Sequence, residues 1–152
     1  MNSGPDPAIL ARDIIDANQY LTLATADETG TPWASPVWFA HEDHRQFVWV
    51  SRPGARHSLN IAARPTIGGV IFDSTVRAGE GQAVYVEAVA AEVLGAERDH
   101  AIAVFAQRSR ALGLREWHLA DVTEPAQHRI YRASASAVFV LDPSDRRLPV
   151  HP

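Results

Sequence analysis

The sequence predicts a mainly β protein, with a largely antiparallel sheet closed into a small barrel and helices at its margins. Six or seven segments have the alternation and the β-branched or aromatic content of strands. Most of them follow one another across short turns, which favours hairpins and antiparallel pairing. The repeated strand–helix alternation that builds a Rossmann sheet is not found in the sequence. Because an open antiparallel sheet leaves unpaired edges, a small barrel capped by helices is the simplest arrangement.

The composition indicates a single cytoplasmic domain over residues 1–152. A hydrophobic fraction of 46% is enough for a sizeable core in a chain of 152 residues. The net charge of -4 argues against nucleic acid as a partner, and no apolar run approaches the roughly 20 residues that span a bilayer. The sequence has no cysteine, which fits a reducing cytoplasm, and its N-terminal segment lacks the pattern of a signal peptide. Residues 1–5 and 143–152 are expected to be loose tails.

The first half of the chain is predicted to contain a helix, three strands and a second, short helix. These elements lie at 6–18, 19–26, 33–40, 46–51 and 57–63. Asp6 is the expected N-cap of the first helix, and Pro7 suits its first turn. Segments 33–40 and 46–51 flank a polar tip and are predicted to pair as a hairpin. Because Pro36 cannot donate to a ladder, its strand is expected to have an edge or a bulge there.

The second half is predicted to contain three further strand regions and a longer helix. These elements are strands at 66–73 and 82–93, a helix at 97–112, an irregular segment at 114–127, and a final strand pair at 128–134 and 136–142. Two glycines in the strand at 66–73 indicate a place where another backbone comes close. Ile102, Phe105 and Leu112 belong to the apolar side of the helix, and Gly113 is its expected C′ stop.

The segment RPGARHSLNIAARP, residues 52–65, places a basic and hydroxylic cluster at the start of the short helix. Helix N-termini expose unpaired N–H groups and a partial positive charge. Arg56 adds a planar fork for phosphate oxygens, His57 a second donor and Ser58 a hydroxyl, which together would form a phosphate cradle. From the local sequence alone, an ordinary solvated helix start is the favoured interpretation of the same residues.

Two further features also have both a functional and an ordinary interpretation. The amide of Gln82 both donates and accepts, so it could bind the edge of a heterocyclic ring, but a polar residue is also common at a strand start. Aromatic residues crowd the segments 33–40 and 46–51, where they could pack against a flat ring or simply form core or a subunit interface.

Motifs of other functional classes are missing from the sequence. The seven histidines form no HxH or HExxH pattern, and paired cysteines do not occur, so no metal site is expected. The chain also has no G-x-S-x-G elbow, no G-x-G-x-x-G fingerprint and no Walker loop. These absences argue against a serine hydrolase, a Rossmann enzyme and a P-loop nucleotide hydrolase.

The order of these features resembles the flavin-binding split-barrel family, the pyridoxamine 5′-phosphate oxidase-like group. Ser51 ends a strand, Arg56 and His57 follow as a basic pair, Arg64-Pro65 closes a helix, and Gln82 opens a later strand. Members of this family show similar elements in the same order, and the resemblance covers residues 19–93. It implies a six-stranded antiparallel split β-barrel of the Greek-key type with capping helices, and a homodimer that binds FMN at its interface.

The resemblance also implies a set of cofactor-binding residues. Arg56, His57 and Ser51 would hold the phosphate, the backbone near Trp38 would lie along the isoalloxazine ring, and Gln82 would bond the ring or the ribityl chain. The full set is Val37, Trp38, Phe39, Val50, Ser51, Arg56, His57, Ser58, Gln82, Trp117 and Arg132. Trp117 and Arg132 are candidates for a contribution from the partner subunit, and no catalytic side-chain acid or base can be identified.

Departures from the family pattern leave the substrate unassigned. His57 replaces a lysine that binds phosphate in the family, and the substrate segment of the vitamin-B6 oxidases is reduced here to VFAQRSRALG at 104–113. Pyridoxamine phosphate is therefore not the expected substrate, and an apolar aromatic pocket suits a different small molecule or electron donor. A deazaflavin-dependent reductase and a non-enzymatic flavin- or haem-binding module on the same fold remain alternatives.

Overall fold

Eight antiparallel strands form one curled sheet in the computed structural model, which describes residues 4–152. The strands are β1 (Tyr20–Ala26), β2 (Pro32–Trp38), β3 (Ala40–Glu42), β4 (Gln46–Ser51), β5 (Thr66–Phe72), β6 (Ala83–Glu92), β7 (Arg129–Leu141) and β8 (Arg147–Val150). The helices are α1 (Pro7–Ala17), α2 (Arg56–Ala63), α3 (Glu97–Ala111) and a 3-10 turn at Leu119–Val122. The strand order is β2-β1-β5-β6-β7-β4-β3, and β8 pairs with β7. This mainly β, curled antiparallel architecture confirms the predicted fold class, although the strands are more numerous than expected.

Two apolar clusters hold the helices against the sheet. The larger lies on the inner face of the sheet, beneath α1, and contains the fully buried Phe39, Phe47 and Trp49. The smaller packs Ile102 and Phe105 of α3 against β3 and β4. Burial of these aromatic and aliphatic side chains is the main stabilising contribution that fixes the helices on the sheet.

The predicted ends of the helices are confirmed in detail. Asp6 caps α1 by accepting a hydrogen bond from the Ala8 N–H at 2.9 Å, and Pro7 occupies the first turn. α2 closes at Arg64, and Gly113 follows α3 with a φ of +67°. Glycine is favoured there because side chains with a Cβ rarely adopt that conformation.

The predicted pairing of 33–40 with 46–51 is wrong. β2 pairs with β1 over its whole length, whereas the short strand β3 pairs with β4. The chain changes partner at Phe39, whose N–H donates to Gln19 O at 3.2 Å. A continuous run of β-forming residues does not reveal such a change, because the same residue types suit both sheet positions. The expectation for Pro36 is confirmed, since β2 lies at one end of the strand order.

The predicted final strand pair is a single strand of 13 residues, β7. Its register on β6 shifts where Glu87 faces Ala137 while Ala88 faces Ala135, so Ser136 is an extra residue on β7. The bulge bends the strand without ending it, and β7 can therefore pair with β4 at one end and β8 at the other.

Two further expectations are wrong. Residues 143–152 are not a loose tail, and Leu112 is not buried on the apolar side of α3. β8 pairs with β7, and its Val150 is buried in the larger apolar cluster, which orders this end of the chain. Leu112 is exposed at the end of α3. Of the other predicted tail, residues 1–3 lie outside the described residues. No helix within residues 4–152 is long and apolar enough to cross a membrane.

The two glycines of β5 lie against β1, but the atoms nearest to them belong to side chains and not to the backbone that the sequence predicted. A Cβ on Gly69 would lie 2.8 Å from Leu21 Cδ1, which is closer than Cβ atoms in proteins approach other heavy atoms. A Cβ on Gly68 would meet Ala24 Cβ at 3.6 Å, an ordinary van der Waals contact. The room for the Leu21 side chain against β5 therefore depends on Gly69, whereas the contact at Gly68 would tolerate a Cβ.

Candidate functional site

A cleft of about 490 Å³ lies between the sheet, the start of α2 and the segment that follows α3. Its lining residues are Pro36, Val37, Trp38, Val50, Ser51, His57, Phe105, Ser109, Leu114, Arg115, Trp117 and His128. Six of the residues predicted from the sequence thus meet in one place: Val37, Trp38, Val50, Ser51, His57 and Trp117. β2 and β4 supply one side of the cleft, and α3 with its following loop supplies the other.

The polar end of the cleft is organised around His57. Its Nδ1 lies 3.2 Å from Ser35 Oγ, and its Nε2 lies 2.8 Å from Ser51 Oγ. Each hydroxyl can donate or accept, so the pair can fix either tautomer of the neutral ring. Burial lowers the pKa of His57 from its ordinary value, so the imidazole is neutral at pH 7 in the absence of a ligand. A bound phosphate would favour the protonated ring.

The N-terminus of α2 is open to a ligand beside this polar end. Its N-cap is Ala55, and no side chain among the described residues caps the first N–H groups of the helix. Arg56, in the first turn, is exposed, and its guanidinium carbon lies 4.5 Å from the centroid of the Trp33 ring. Uncapped N–H donors next to a positioned guanidinium are the groups that bind phosphate oxygens.

Aromatic side chains form the opposite wall of the cleft. Phe105 meets Trp38 and Trp117 edge to face, with ring centroids 5.0 Å and 5.4 Å away. Arg115 covers the other side of Trp117, with its guanidinium carbon 4.0 Å from the ring centroid. These contacts hold the rings in fixed orientations and give this part of the cleft an apolar, aromatic lining.

Several predicted residues lie elsewhere in the chain. The side chain of Phe39 is fully buried in the core, and that of Ser58 is only 3% exposed, so neither is available to a ligand in the cleft. Gln82 lines a different cleft of about 600 Å³, together with Leu10 and Leu148. Arg132 donates to Glu97 Oε2 at 2.7 Å and lines a third groove. A single chain therefore does not bring Gln82 or Arg132 to the cleft.

Six lining residues were not predicted as site residues, namely Pro36, Phe105, Ser109, Leu114, Arg115 and His128, and neither was Ser35. Ser35 contacts His57 across 22 positions, and His128 lies in the same cleft from the start of the last long strand. Arg115 comes from the segment predicted only as irregular. No local pattern marks Ser35 or Arg115, whereas a histidine beside a predicted strand start was a usable signal for His128.

The residues of the cleft fit an FMN molecule. An apolar, aromatic wall suits an isoalloxazine ring, and the hydroxyls, imidazole and open helix N-terminus suit a phosphate. The orphan N–H groups of α2 are the clearest sign, because they have no capping side chain within residues 4–152. The fit covers the phosphate and one side of the ring. Gln82, which was expected to bond the ring or the ribityl chain, lies in another cleft.

The curled antiparallel sheet, the marginal helices and the cleft beside α2 define a split-barrel protein. The sequence model described as Pyridoxamine 5′-phosphate oxidase matches residues 10–141. This match covers most of the chain, so the chain belongs to the pyridoxamine 5′-phosphate oxidase family, as the resemblance predicted. No curated protein has a sequence that matches this chain.

Solved structures confirm the fold. A heme-binding protein from Mycobacterium smegmatis is similar with a TM-score of 0.76 and 21% identity, over 97% of this chain and 59% of that one. The present chain thus spans less than two thirds of that relative. HutZ, the heme storage protein from Vibrio cholerae, is similar with a TM-score of 0.69 and 19% identity, over 87% of this chain and 92% of that one. A protein named F420 reductase has a TM-score of 0.58 and 17% identity, over 80% of this chain and 89% of that one.

Proposed function

We propose that this chain is an FMN-binding oxidoreductase that acts as a cytoplasmic homodimer on a small molecule or electron donor. One observation supports the proposal above all: a single cleft joins an aromatic wall to a polar end beside an uncapped helix N-terminus. This combination matches the two chemically different ends of FMN. Bound FMN would supply hydride and electron transfer.

The residues of the polar end would hold the phosphate. Arg56 would supply the permanent charge, Ser51 a hydroxyl, and His57 a charge that a nearby phosphate favours. The N–H groups at the start of α2 would donate to the remaining oxygens. In this arrangement the first turn of α2 fixes the position of the ligand, and the rest of the cleft fixes its orientation.

The apolar residues would orient the ring and exclude water. Val37 and Trp38 on β2 would lie along one side of the ring, and Trp117 would shield the cleft from solvent. No side-chain acid or base is required, because hydride transfer can be promoted by positioning alone. Gln82 and Arg132 would act in the homodimer, where the cleft of one subunit is completed by the other.

The cleft favours an apolar or aromatic substrate over pyridoxamine phosphate. Beyond the proposed cofactor phosphate site, its wall consists mainly of Trp38, Val50, Phe105, Leu114 and Trp117. Arg115, a cation in the lining, already donates to Asp121 at 2.7 Å. A second phosphate would therefore have to displace an existing ion pair.

The test is the visible spectrum of the purified protein, followed by mass identification of the released cofactor. Flavin absorption with an FMN mass supports the proposal, and reduction of the bound flavin by a nicotinamide donor supports enzyme activity. A colourless protein that cannot take up added FMN contradicts it. If FMN is bound but no nicotinamide donor reduces it, the chain is a flavin-binding module, and the proposed oxidoreductase activity is contradicted.

A haem-binding module is the second candidate, because His128 and His57 both line the cleft and two similar structures are heme proteins by name. Imidazole nitrogens are common haem ligands.

A deazaflavin-dependent reductase is the third candidate. A protein named F420 reductase shares the fold, and Arg52 and Arg56 could bind the anionic tail of a deazaflavin. The same spectrum separates them, through a haem band or a deazaflavin mass.

A further inference from the structure

A second group of chemically active side chains lies outside the cleft, where the end of α1 meets the turn after β3. His41 Nε2 lies 2.7 Å from Asp16 Oδ1, and His44 Nε2 lies 3.0 Å from the same oxygen. One ligand atom from each residue falls within 4.8 Å of the others. Two imidazole nitrogens and one carboxylate therefore point at a common position.

The surroundings of the three residues differ in a way that suits a bound ion. The side chains of His41 and His44 are 14% and 20% exposed, whereas that of Asp16 is 56% exposed. The sheltered rings lie 4.2 Å apart at an interplanar angle of 32°, and the Nε2 atoms of both lie within 3.0 Å of Asp16 Oδ1. The open carboxylate leaves a route from solvent, so an ion could reach the nitrogens without unfolding the hairpin.

The geometry points to a binding site for a divalent transition-metal ion such as Zn²⁺ at Asp16, His41 and His44. Zn²⁺ takes imidazole nitrogen and carboxylate oxygen as ligands, whereas Mg²⁺ and Ca²⁺ prefer sets made of oxygen alone. Three protein ligands leave further coordination positions for water. The bound ion would join the C-terminal end of α1 to the β3–β4 hairpin.

Two neighbouring contacts determine what binding must change. His41 Nδ1 accepts the His44 N–H at 3.2 Å, so Nε2 carries the proton in the metal-free chain. A metal bound at Nε2 moves that proton to Nδ1, which can then no longer accept the hydrogen bond from the His44 N–H. The backbone of the hairpin turn must therefore shift when the ion binds. Arg108 is close enough to Asp16 to compete with the ion electrostatically. The site should therefore bind Zn²⁺ more weakly than a four-ligand structural site.

The sequence patterns did not reveal this set because its carboxylate is far from the two histidines in the chain. Asp16 precedes His41 by 25 positions and His44 by 28. Only the folding of α1 against the hairpin brings the carboxylate to the histidines. The inference is independent of the cleft, since none of the three residues lines it.

The experiment is calorimetric titration of the purified full chain with Zn²⁺ after treatment with a chelator. One ion should bind per chain, and Mg²⁺ should give no signal at the same concentration. His44→Gln and Asp16→Asn should each lower Zn²⁺ affinity by about tenfold or more, the scale of damage to metal sites. His100→Gln is the matched control, because His100 lies 2.6 Å from Glu42 in a pair that has no third ligand within residues 4–152.

Thermal unfolding keeps the test valid where a variant is destabilised. Zn²⁺ should raise the Tm of the wild-type chain and of His100→Gln, but not that of His44→Gln, because an ion that binds only the folded chain stabilises it. The proposal is overturned if wild type binds no Zn²⁺, or if His44→Gln and Asp16→Asn both bind it as wild type does. The three residues would then be only a hydrogen-bonded contact between α1 and the hairpin.

Discussion

Arg56 is the residue whose proposed role is easiest to isolate. Arg56→Ala should weaken FMN binding by about 1.5–3 kcal/mol, the net value of a hydrogen bond to a charged group. Riboflavin lacks the phosphate, so its affinity should change far less. Arg64→Ala is the control, since Arg64 is an exposed arginine at the opposite end of α2. Fluorescence titration with both ligands measures the difference, and equal losses for FMN and riboflavin would show that Arg56 does not bind the phosphate.

His57 should make the stability of the ligand-free protein depend on pH. Burial lowers the pKa of His57 below 6.5 in the folded chain, whereas the unfolded chain has the ordinary value. As the pH falls through 6.5 toward the lower folded pKa, the unfolded state takes up a proton that the folded state does not. The free energy of unfolding therefore decreases over that window.

His57→Gln should remove this contribution while keeping a polar side chain between the two serines. Urea unfolding at about pH 7.5 and about pH 5.5, on either side of the ordinary value, should show a smaller acid loss for the variant than for wild type. His151→Gln, at an exposed position, serves as the control. An identical acid loss in wild type and His57→Gln would contradict the burial argument.

The sequence predicted the polar end of the cleft better than the orientation of each residue in it. The basic cluster at the start of α2 was recognised, but His57 reaches the cleft while Ser58, one residue later, faces the interior. Successive helical residues are rotated by about 100°, and Ser58 shares its face with the buried Ile61 three positions on. That spacing was visible in the sequence, whereas the contact of His57 with Ser35 depends on the tertiary fold.

Among the strands, the contact between β1 and β5 gives a matched pair of substitutions. Gly69→Ala should destabilise the fold by about 1–3 kcal/mol, because its Cβ would press on the buried Leu21. Gly68→Ala should be neutral or stabilising, since its Cβ meets only an ordinary contact and alanine restricts the unfolded chain. Urea unfolding of both variants measures the difference. Equal effects would mean that β5 moves to accommodate Leu21.

The strands show why local patterns identify elements better than their partners. The bounds of β1, β4 and β5 agree with the predicted segments to within one residue. The partner of β2 and the continuity of β7 were predicted wrongly, because a change of partner and a bulge both preserve the alternation of residue types. Position in the sheet is decided by long-range packing, which no short window contains.

For the whole molecule, the outer face of the sheet supports the proposed homodimer. Tyr20 of β1, Phe72 of β5 and Val89 of β6 are large apolar residues exposed on this face. The register places them on the side opposite the buried Val84 and Val86, so they do not contribute to the core. Exposed apolar residues that share one face are typical of a subunit interface.

Phe72→Arg should therefore convert the dimer into single chains, because an arginine cannot be buried there without a partner. Light scattering after size-exclusion chromatography measures the mass. Leu94→Arg is the control, as Leu94 is exposed in the loop after β6 and lies off this face. A wild-type protein that has the mass of one chain contradicts the proposed dimer, and a Phe72→Arg protein that stays dimeric contradicts this choice of interface.

The edge of the sheet at β2 has a consequence for the solubility of the protein. Alternate residues of a strand direct their backbone groups to the same side, and a proline has no N–H to give to β1. Positions 32, 34, 36 and 38 therefore face away from β1, and two of these four, Pro32 and Pro36, lack a donor. A strand from another molecule cannot complete a hydrogen-bonded ladder along such an edge. The two prolines thus protect an otherwise open strand against edge-to-edge aggregation.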